Sequence, residues 1–208
     1  MNIIFGTTNK RKVEDLNNII LQHNLDINVL TLNDIGWDLG ETEETGESLE
    51  ENSLIKAKAI YDFCIKRNIS YPILTDDAGL FVESLNGEPG IYTGRYGDDE
   101  LALDPSLPKY QCLYKLLRKL ENEYNRAAYY KCVITYMLPN GVYFQESSIT
   151  NGSIDNKINE PIKKPYFYSL FLVDDRPFNS LEPEELKDTY RYKALEKTIK
   201  KNKIIGKE

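Results

Sequence analysis

Two adjacent carboxylates, Asp76 and Asp77, interrupt an otherwise apolar stretch and are followed closely by Gly79. The apolar residues on either side, Leu74 and Leu80, are typical of a buried strand, so the interruption predicts that the aspartates lie at a strand end or in a sharp turn. Burying unpaired carboxylates is costly, and a hard divalent cation with oxygen ligands would offset that cost. An ordinary Asp-Asp-Xaa-Gly hairpin turn explains the same residues without a metal. This stretch alone supports both interpretations equally.

A second polar stretch, residues 6–12 with the sequence GTTNKRK, could bind an anion. It follows the apolar run Asn2–Phe5 and precedes Val13, Leu16 and Ile19, which recur at helical spacing. The order predicts a strand, a polar loop and a helix. Helix-start N–H groups, hydroxyls and basic side chains then lie beyond the carboxyl end of a strand, where anions bind. The P-loop spacing is absent, and a solvent-exposed polar loop is the alternative.

A third group of candidate residues surrounds the predicted start of a helix at Ser48. Ser48 and Glu51 fit the capping pattern S-x-x-E. Asn52 and Lys56 are four residues apart, so they share a helix face and could reach a ligand held by the preceding loop. The acidic residues of that loop, Glu43, Glu44 and Glu47, could simply complement the helix dipole.

The composition restricts the function classes. With 208 residues and 41% hydrophobic residues, the chain is expected to form one compact globular unit. A net charge of -7 argues against general binding to nucleic acid or to a membrane surface. No apolar stretch approaches the roughly 20 residues of a membrane span, and no signal-peptide pattern is recognisable at the N-terminus. We therefore expect a cytoplasmic protein.

Cysteine and histidine usage excludes several kinds of chemistry. Cys64, Cys112 and Cys132 are widely spaced and contain no CxxC pair, which argues against a disulfide framework and a structural zinc site. His23 is the only histidine in the sequence and lies in a polar segment. Ser-His-Asp and Cys-His mechanisms require an imidazole base, so both are disfavoured.

The rest of the chain alternates between predicted strands and helices. The expected elements, in chain order, are a strand at 27–32, a glycine-rich loop at 85–97 and a helix near 113–120. Two antiparallel strands joined by a turn at 139–141 follow, the first beginning at 128 and the second ending at 151–153. The last elements are an aromatic strand or loop and strand at 166–173 and a helix over 182–201.

Three separated segments of the first hundred residues contain motifs in a fixed order. The first segment is Thr-x-Asn-x-x-Lys at 7–12. The second is Glu-Thr-Gly at 44–46 followed by ENSLIKAK at 51–58. The third is DDAGL at 76–80 followed by GEPGIYTGRY at 87–96. In order, spacing and residue type these segments together resemble the inosine triphosphate pyrophosphatase family, whose members hydrolyse non-canonical purine nucleoside triphosphates, and agreement at several separated places makes the resemblance specific.

The resemblance implies an α/β fold with a long, mixed, twisted central sheet flanked by helices, and two lobes with a cleft between them. It implies one domain over residues 1–208, with no separable linker, that assembles as a homodimer. The implied reaction is Mg²⁺-dependent hydrolysis of a (d)NTP such as ITP, dITP or XTP to (d)NMP and pyrophosphate.

The resemblance also assigns roles to matching residues. Glu44 and Asp77 are the implied metal ligands. Asp77 is the implied base for water, with Asp76 as its partner and Lys56 as a further catalytic residue. The implied substrate-binding residues are Thr7, Thr8, Asn9, Lys12, Asn52, Lys56, Arg95, Tyr168 and Arg191.

Three departures from the family pattern affect the base-recognition residues. Ala78 stands where the family has serine, and residues 166–170, YFYSL, stand where it has Phe-Gly-Tyr-Asp-Pro, so that Phe167 and Ser169 are changed. The family's Ser-His-Arg corresponds to 189–191, with Tyr190 in the place of histidine. Because specificity depends on paired buried polar groups, base specificity stays open. Two alternatives remain: a nucleotide-binding module with weakened turnover, and a pyrophosphatase for a different nucleotide or phosphorylated metabolite.

Overall fold

The structure, a computed structural model, describes residues 1–40, 42–163 and 165–201. Its helices are α1 (Lys10–Gln22), α2 (Leu49–Lys66), α3 (Asp98–Leu103), α4 (Gln111–Lys119), α5 (Pro183–Leu186) and α6 (Tyr190–Lys201). Its strands are β1 (Asn2–Phe5), β2 (Asn28–Thr31), β3 (Ile73–Val82), β4 (Pro89–Gly90), β5 (Ala127–Met137), β6 (Tyr143–Ile154), β7 (Phe171–Val173) and β8 (Arg176–Pro177). The last seven residues of the predicted domain, 202–208, lie outside the described part.

The strands form one mixed sheet in the order β2-β1-β3-β5-β6-β7-β8, with β4 beside β3. β1 pairs in parallel with β2 and with β3, while β3 pairs antiparallel with β4. β7 is antiparallel to both β6 and β8. The predicted α/β fold with a mixed sheet is therefore confirmed.

The aspartate pair lies within β3, so the prediction that it marks a strand end or a turn was wrong. Residues 73–74 pair with β1, and residues 80–81 pair with β4. Asp76 and Asp77 lie between these two pairings and are buried. A strand can continue through two buried carboxylates here because each is paired with a lysine, as described below.

The chain divides into two compact units. Unit 1 contains Met1–Asp77, Cys132–Ser148 and the described part of Tyr190–Glu208. Unit 2 contains Ala78–Lys131 and Ile149–Thr189. β3, β5 and β6 each contain residues of both units.

The core of unit 1 positions α2. Ala57, Ile60 and Phe63 on one face of this helix are buried together with Ile4 of β1 and Ile73 of β3. Burying large apolar side chains of this kind stabilises a fold by roughly 1.5–3 kcal/mol each. This packing fixes the rotation of α2, and with it the direction of the neighbouring polar residues.

The core of unit 2 contains an aromatic cluster. The ring of Tyr130 meets those of Tyr168 and Phe171 edge-on, with centroids 5.5 and 5.0 Å away. Phe178 completes the cluster, 4.3 Å from Tyr168. The segment predicted as an aromatic strand or loop and strand is a 3-10 turn at Tyr166–Ser169 followed by β7.

One continuous helix was predicted over 182–201, but the structure has two helices there, α5 and α6, so the prediction was wrong about the break between them. α5 ends at Leu186, and the N–H and hydroxyl of Thr189 both donate to the Leu186 carbonyl. These bonds close a turn that interrupts the helical pattern before α6 begins at Tyr190. Among the helices described, none is long and apolar enough to cross a membrane.

Candidate active site

Asp76 is held between two cations in unit 1. Lys12 Nζ donates to Asp76 Oδ1 at 2.8 Å, and Arg191 Nε donates to Oδ2 at 3.4 Å. The side chain of Asp76 is only 2% exposed. Burial would raise its pKa, but Lys12 and Arg191 outweigh burial and hold the pKa of Asp76 well below its usual range. Asp76 is therefore ionised, and both of its oxygens are engaged.

Lys56 joins two further carboxylates. Its Nζ lies 2.8 Å from Asp77 Oδ1 and 2.7 Å from Glu44 Oε1, and it donates to the backbone carbonyl of Asp76 at 3.2 Å. Burial would lower the pKa of Lys56, but the negative charges of Asp77 and Asp76 raise it by more than burial lowers it. The pKa of Lys56 is therefore above its ordinary value. Lys56 is thus a fixed positive charge between Glu44 and Asp77.

Asp77 differs from Asp76 in the direction of its pKa shift and in its hydrogen bonds. Burial raises its pKa more than Lys56 lowers it. Its Oδ2 is buried and has no hydrogen-bond partner within the described residues. A carboxylate with a raised pKa and an unsatisfied oxygen is suited to accept a proton or to bind a cation.

The predicted start of α2 is confirmed. The Ser48 side chain caps the helix by accepting from the Glu51 N–H at 3.1 Å. The Glu51 carboxylate accepts from the Glu47 N–H at 2.6 Å, one residue earlier than a standard capping box. One turn into the helix, Asn52 is completely buried and accepts from the Gly46 N–H at 2.8 Å.

A buried hydroxyl network, absent from the sequence prediction, holds α2 on the sheet beside the aspartates. Ser53 Oγ lies 2.8 Å from Thr135 Oγ1, and Thr75 Oγ1 donates to the Ser53 carbonyl at 2.7 Å. Gln145 Nε2 donates to Thr135 Oγ1 at 3.0 Å. Ser53 and Thr75 each adjoin a predicted site residue in sequence, which is the signal that could have found them.

The loop between β1 and α1 uses its predicted binding residues for its own hydrogen bonds. Thr7 is buried, and its Oγ1 accepts from the Asn9 N–H at 3.1 Å. Asn9 caps α1 by accepting from the Arg11 N–H at 3.0 Å. Thr8 is exposed. This local structure starts α1 at Lys10 and places Lys12 in its first turn.

Asp15 is a further charged residue that sequence analysis missed. Burial raises its pKa, while Arg191 and Arg11 act to lower it. Asp15 follows Lys12 by three residues on α1, so both lie on one helix face. That spacing was visible in the sequence.

Two of the predicted substrate-binding residues belong to unit 2. Arg95 is exposed, with its guanidinium carbon 5.1 Å from the ring centroid of Tyr92. Tyr168 is buried in the aromatic cluster. Beside it, Ser169 Oγ donates to the Tyr166 carbonyl at 2.6 Å.

Glu44 and Asp77 are the residues of unit 1 best suited to hold a divalent metal. Both offer carboxylate oxygens, and Asp77 Oδ2 is unsatisfied. Within the described residues, no group of three or more His, Cys, Asp or Glu side chains is assembled for a metal. Mg²⁺ is usually bound through one or two carboxylates, with waters and substrate phosphates completing its shell, so this pair fits it.

The family pattern that matches this chain is that of the Ham1 family, over residues 3–201. The chain belongs to the Ham1 family. A dITP/XTP pyrophosphatase of Borreliella burgdorferi (strain ZS7) is 34% identical over 187 residues, covering 88% of this chain and 86% of that protein. A dITP/XTP pyrophosphatase of Flavobacterium johnsoniae is 32% identical over 208 residues, covering 96% of each chain.

Solved structures agree with this assignment. The Staphylococcus aureus Ham1 protein superposes with a TM-score of 0.78 at 26% identity, over 97% of this chain and 100% of that one. Membership of the Ham1 family confirms the resemblance drawn from the three sequence segments.

Proposed function

We propose that this Ham1-family chain is a nucleoside triphosphate pyrophosphatase that hydrolyses a (d)NTP to (d)NMP and pyrophosphate. Its relatives in Borreliella burgdorferi and Flavobacterium johnsoniae are named as dITP/XTP pyrophosphatases. The observation that carries the proposal is a cluster of six charged residues in unit 1. Its members, called the charged cluster below, are Lys12, Glu44, Lys56, Asp76, Asp77 and Arg191.

The charge balance of this cluster supports a metal requirement. Three cations face three carboxylates, so the cluster carries little net charge to attract a triphosphate. When bound, Mg²⁺ supplies positive charge that neutralises the phosphate oxygens and holds them in place. Glu44 and Asp77 are the residues that would hold it.

The remaining groups of the cluster divide the work of binding and proton transfer. Lys12 and Arg191, held in place by Asp76, would bind the anionic substrate. Asp77 would accept a proton from water at Oδ2, its unsatisfied oxygen, while the water oxygen bonds to the α-phosphorus, the α–β phosphoanhydride bond breaks and pyrophosphate leaves. Lys56, fixed between Glu44 and Asp77, keeps both carboxylates in position.

The proposed substrates are ITP, dITP and XTP. The relatives' names support this class. Of the changed residues in unit 2, Phe167 and Ser169 are buried and Ala78 is half-buried. Tyr190 of unit 1 is likewise buried, at 2% exposure. Substitutions at these positions change the shape of the protein interior. They are compatible with the same class of substrates as in the relatives, with a different relative preference among the bases.

The same proposal includes a homodimer in the cytoplasm and one working domain over residues 1–208. Three buried free cysteines, Cys64, Cys112 and Cys132, fit a reducing compartment. Three strands with residues in both units favour a single domain. Light scattering after size-exclusion chromatography checks the dimer, and one cooperative unfolding transition is expected for one domain.

The test is a panel of canonical and modified NTPs and dNTPs, assayed for pyrophosphate with Mg²⁺ and with a chelator. We expect Mg²⁺-dependent release of pyrophosphate, fastest with ITP, dITP or XTP. The absence of turnover with every nucleotide, by protein shown to be folded, would exclude the proposed activity. Orthophosphate as the product would instead indicate an enzyme of another specificity.

A further inference from the structure

Asn52 connects α2 to the loop that carries Glu44. Its side chain is completely buried, and Oδ1 accepts from the Gly46 N–H at 2.8 Å. Glu44 lies only two residues before Gly46 in the chain. The hydrogen bond therefore fixes the loop to the helix next to a proposed metal ligand.

The packing around Gly46 shows how closely the loop and helix approach. A Cβ atom at Gly46 would lie 2.6 Å from the Cβ of Glu51, 2.8 Å from Oδ1 of Asn52 and 3.0 Å from the Asn52 nitrogen. Real Cβ atoms essentially never make contacts under 3.0 Å. Gly46 has no left-handed backbone angle, so the need for glycine here is steric. The hydrogen bond from Gly46 to Asn52 and the absence of a side chain at Gly46 together hold the loop close to the helix.

Asn52 and Lys56 hold the loop from one face of α2. They are four residues apart, and Lys56 Nζ lies 2.7 Å from Glu44 Oε1. Asn52 fixes the backbone of the loop, while Lys56 fixes the carboxylate. The position of Glu44 thus depends on the rotation of a single helix, which the core of unit 1 determines.

The amide nitrogen of Asn52 is buried and has no hydrogen-bond partner among the described residues. The one side-chain hydrogen bond that Asn52 makes within the described residues is the bond from the Gly46 N–H to its Oδ1.

We infer that Asn52 is a positioning residue, which places Glu44 for metal binding through its hydrogen bond to Gly46. This assigns Asn52 a different role from the substrate binding implied by its sequence motif. The kinetic test of this inference rests on the proposed Mg²⁺-dependent function, whereas the hydrogen-exchange and Mn²⁺-binding tests do not require turnover. Second-layer residues that orient metal ligands typically affect metal affinity by about 10–100-fold.

The test compares Asn52→Leu, Gly46→Ala and the control Ser48→Ala in the full chain. Leucine keeps the branching and the number of side-chain heavy atoms of asparagine but removes the acceptor, and alanine at Gly46 forces the loop away. Ser48→Ala removes a side-chain-to-backbone hydrogen bond from the same helix start, with the bond between Gly46 and Asn52 intact. It therefore controls for a general weakening of α2.

Two measurements are made on each variant. Hydrogen exchange of a peptide containing the Gly46 amide is followed in metal-free protein, and Mn²⁺ binding is followed by electron paramagnetic resonance. For Asn52→Leu and Gly46→Ala we expect exchange faster by about tenfold or more, and metal affinity weaker by about tenfold. For Ser48→Ala both quantities should stay within about twofold of the wild type.

Kinetics give the third readout. In both loop variants the Mg²⁺ concentration for half-maximal rate should rise about tenfold, while kcat at saturating Mg²⁺ changes less than about threefold. Wild-type Mg²⁺ and Mn²⁺ affinities in the folded loop variants would overturn the inference, as would an equal effect of Ser48→Ala. If wild-type protein releases no pyrophosphate, the proposed function fails, and exchange and Mn²⁺ binding still decide the role of Asn52.

Discussion

Replacing Asp76 or Asp77 with asparagine should have opposite consequences for the stability of the metal-free protein, although the two residues are adjacent. Asp76 is ionised between Lys12 and Arg191, and removing its charge breaks the ion pairs that it makes with these two partly buried cations. Breaking a buried ion pair typically costs about 3–5 kcal/mol. Lys12 is 23% exposed and can turn toward water, so we take the lower end and expect Asp76→Asn to cost about 3 kcal/mol.

Asp77→Asn should cost far less. The raised pKa of Asp77 means that burial already disfavours its charged form. Lys56 also keeps a second partner, Glu44, at 2.7 Å. We therefore expect Asp77→Asn to change the free energy of unfolding by less than about 1 kcal/mol in either direction. This is smaller than the ~1.36 kcal/mol that corresponds to a shift of one pKa unit.

Urea denaturation of both variants at neutral pH with a chelator measures the difference. The expected gap between the two free energies of unfolding is about 2 kcal/mol or more, with Asp76→Asn the less stable. Equal destabilisation by both substitutions, or the reverse order, would refute this assignment of charges.

The acid dependence of stability provides an independent check on Asp76. Because its pKa is lower in the folded state than in the unfolded state, its contribution is present above the unfolded pKa of about 3.9 and is lost as the pH falls further. The stability gap between wild type and Asp76→Asn should therefore narrow below about pH 4. A gap that stays constant on acidification would contradict the ionised state of Asp76.

Three further substitutions, one of them with Gly94→Ala as its control, test the surrounding structure. Ser53→Ala removes the hydroxyl that links Thr75 to Thr135, while each threonine keeps one other hydrogen bond, so the free energy of unfolding should fall by about 0.5–1.5 kcal/mol in urea denaturation. Gly79→Ala forces a Cβ against the backbone of β4 and should lower the free energy of unfolding by about 1–3 kcal/mol. Gly94→Ala has open space around it and should leave that free energy unchanged in the same assay. Equal losses from the two substitutions would count against the close packing at β4. Glu44→Gln removes a proposed metal ligand, so the Mg²⁺ concentration for half-maximal pyrophosphate release should rise at least about tenfold, and an unchanged Mg²⁺ titration would rule out that role.

Local patterns predicted the elements that carry the charged cluster. Short-range signals determine where a helix begins, and both Asn9 and Ser48 act as caps next to the predicted binding residues. Helical spacing correctly placed Asn52 and Lys56 on one face of α2. The mixed α/β fold followed from the family resemblance, whose three segments lie in the first hundred residues.

The errors arose where residues distant in sequence decide the outcome. Two charges look incompatible with a strand interior until Lys12, 64 residues away from Asp76, supplies the compensating charge. The hydroxyl network likewise joins Ser53 to Thr135, 82 residues later. The break before α6 depends on hydrogen bonds from Thr189 to a preceding carbonyl, which apolar spacing does not reveal.

The measurement that tests the central claim most directly is the identity of the products formed from ITP, followed by phosphorus NMR. The proposed function predicts IMP and pyrophosphate, formed only with Mg²⁺, and little or no product from Asp77→Asn, which removes the proposed base while keeping the fold. IDP and orthophosphate as products, or undiminished pyrophosphate release by folded Asp77→Asn, would contradict it.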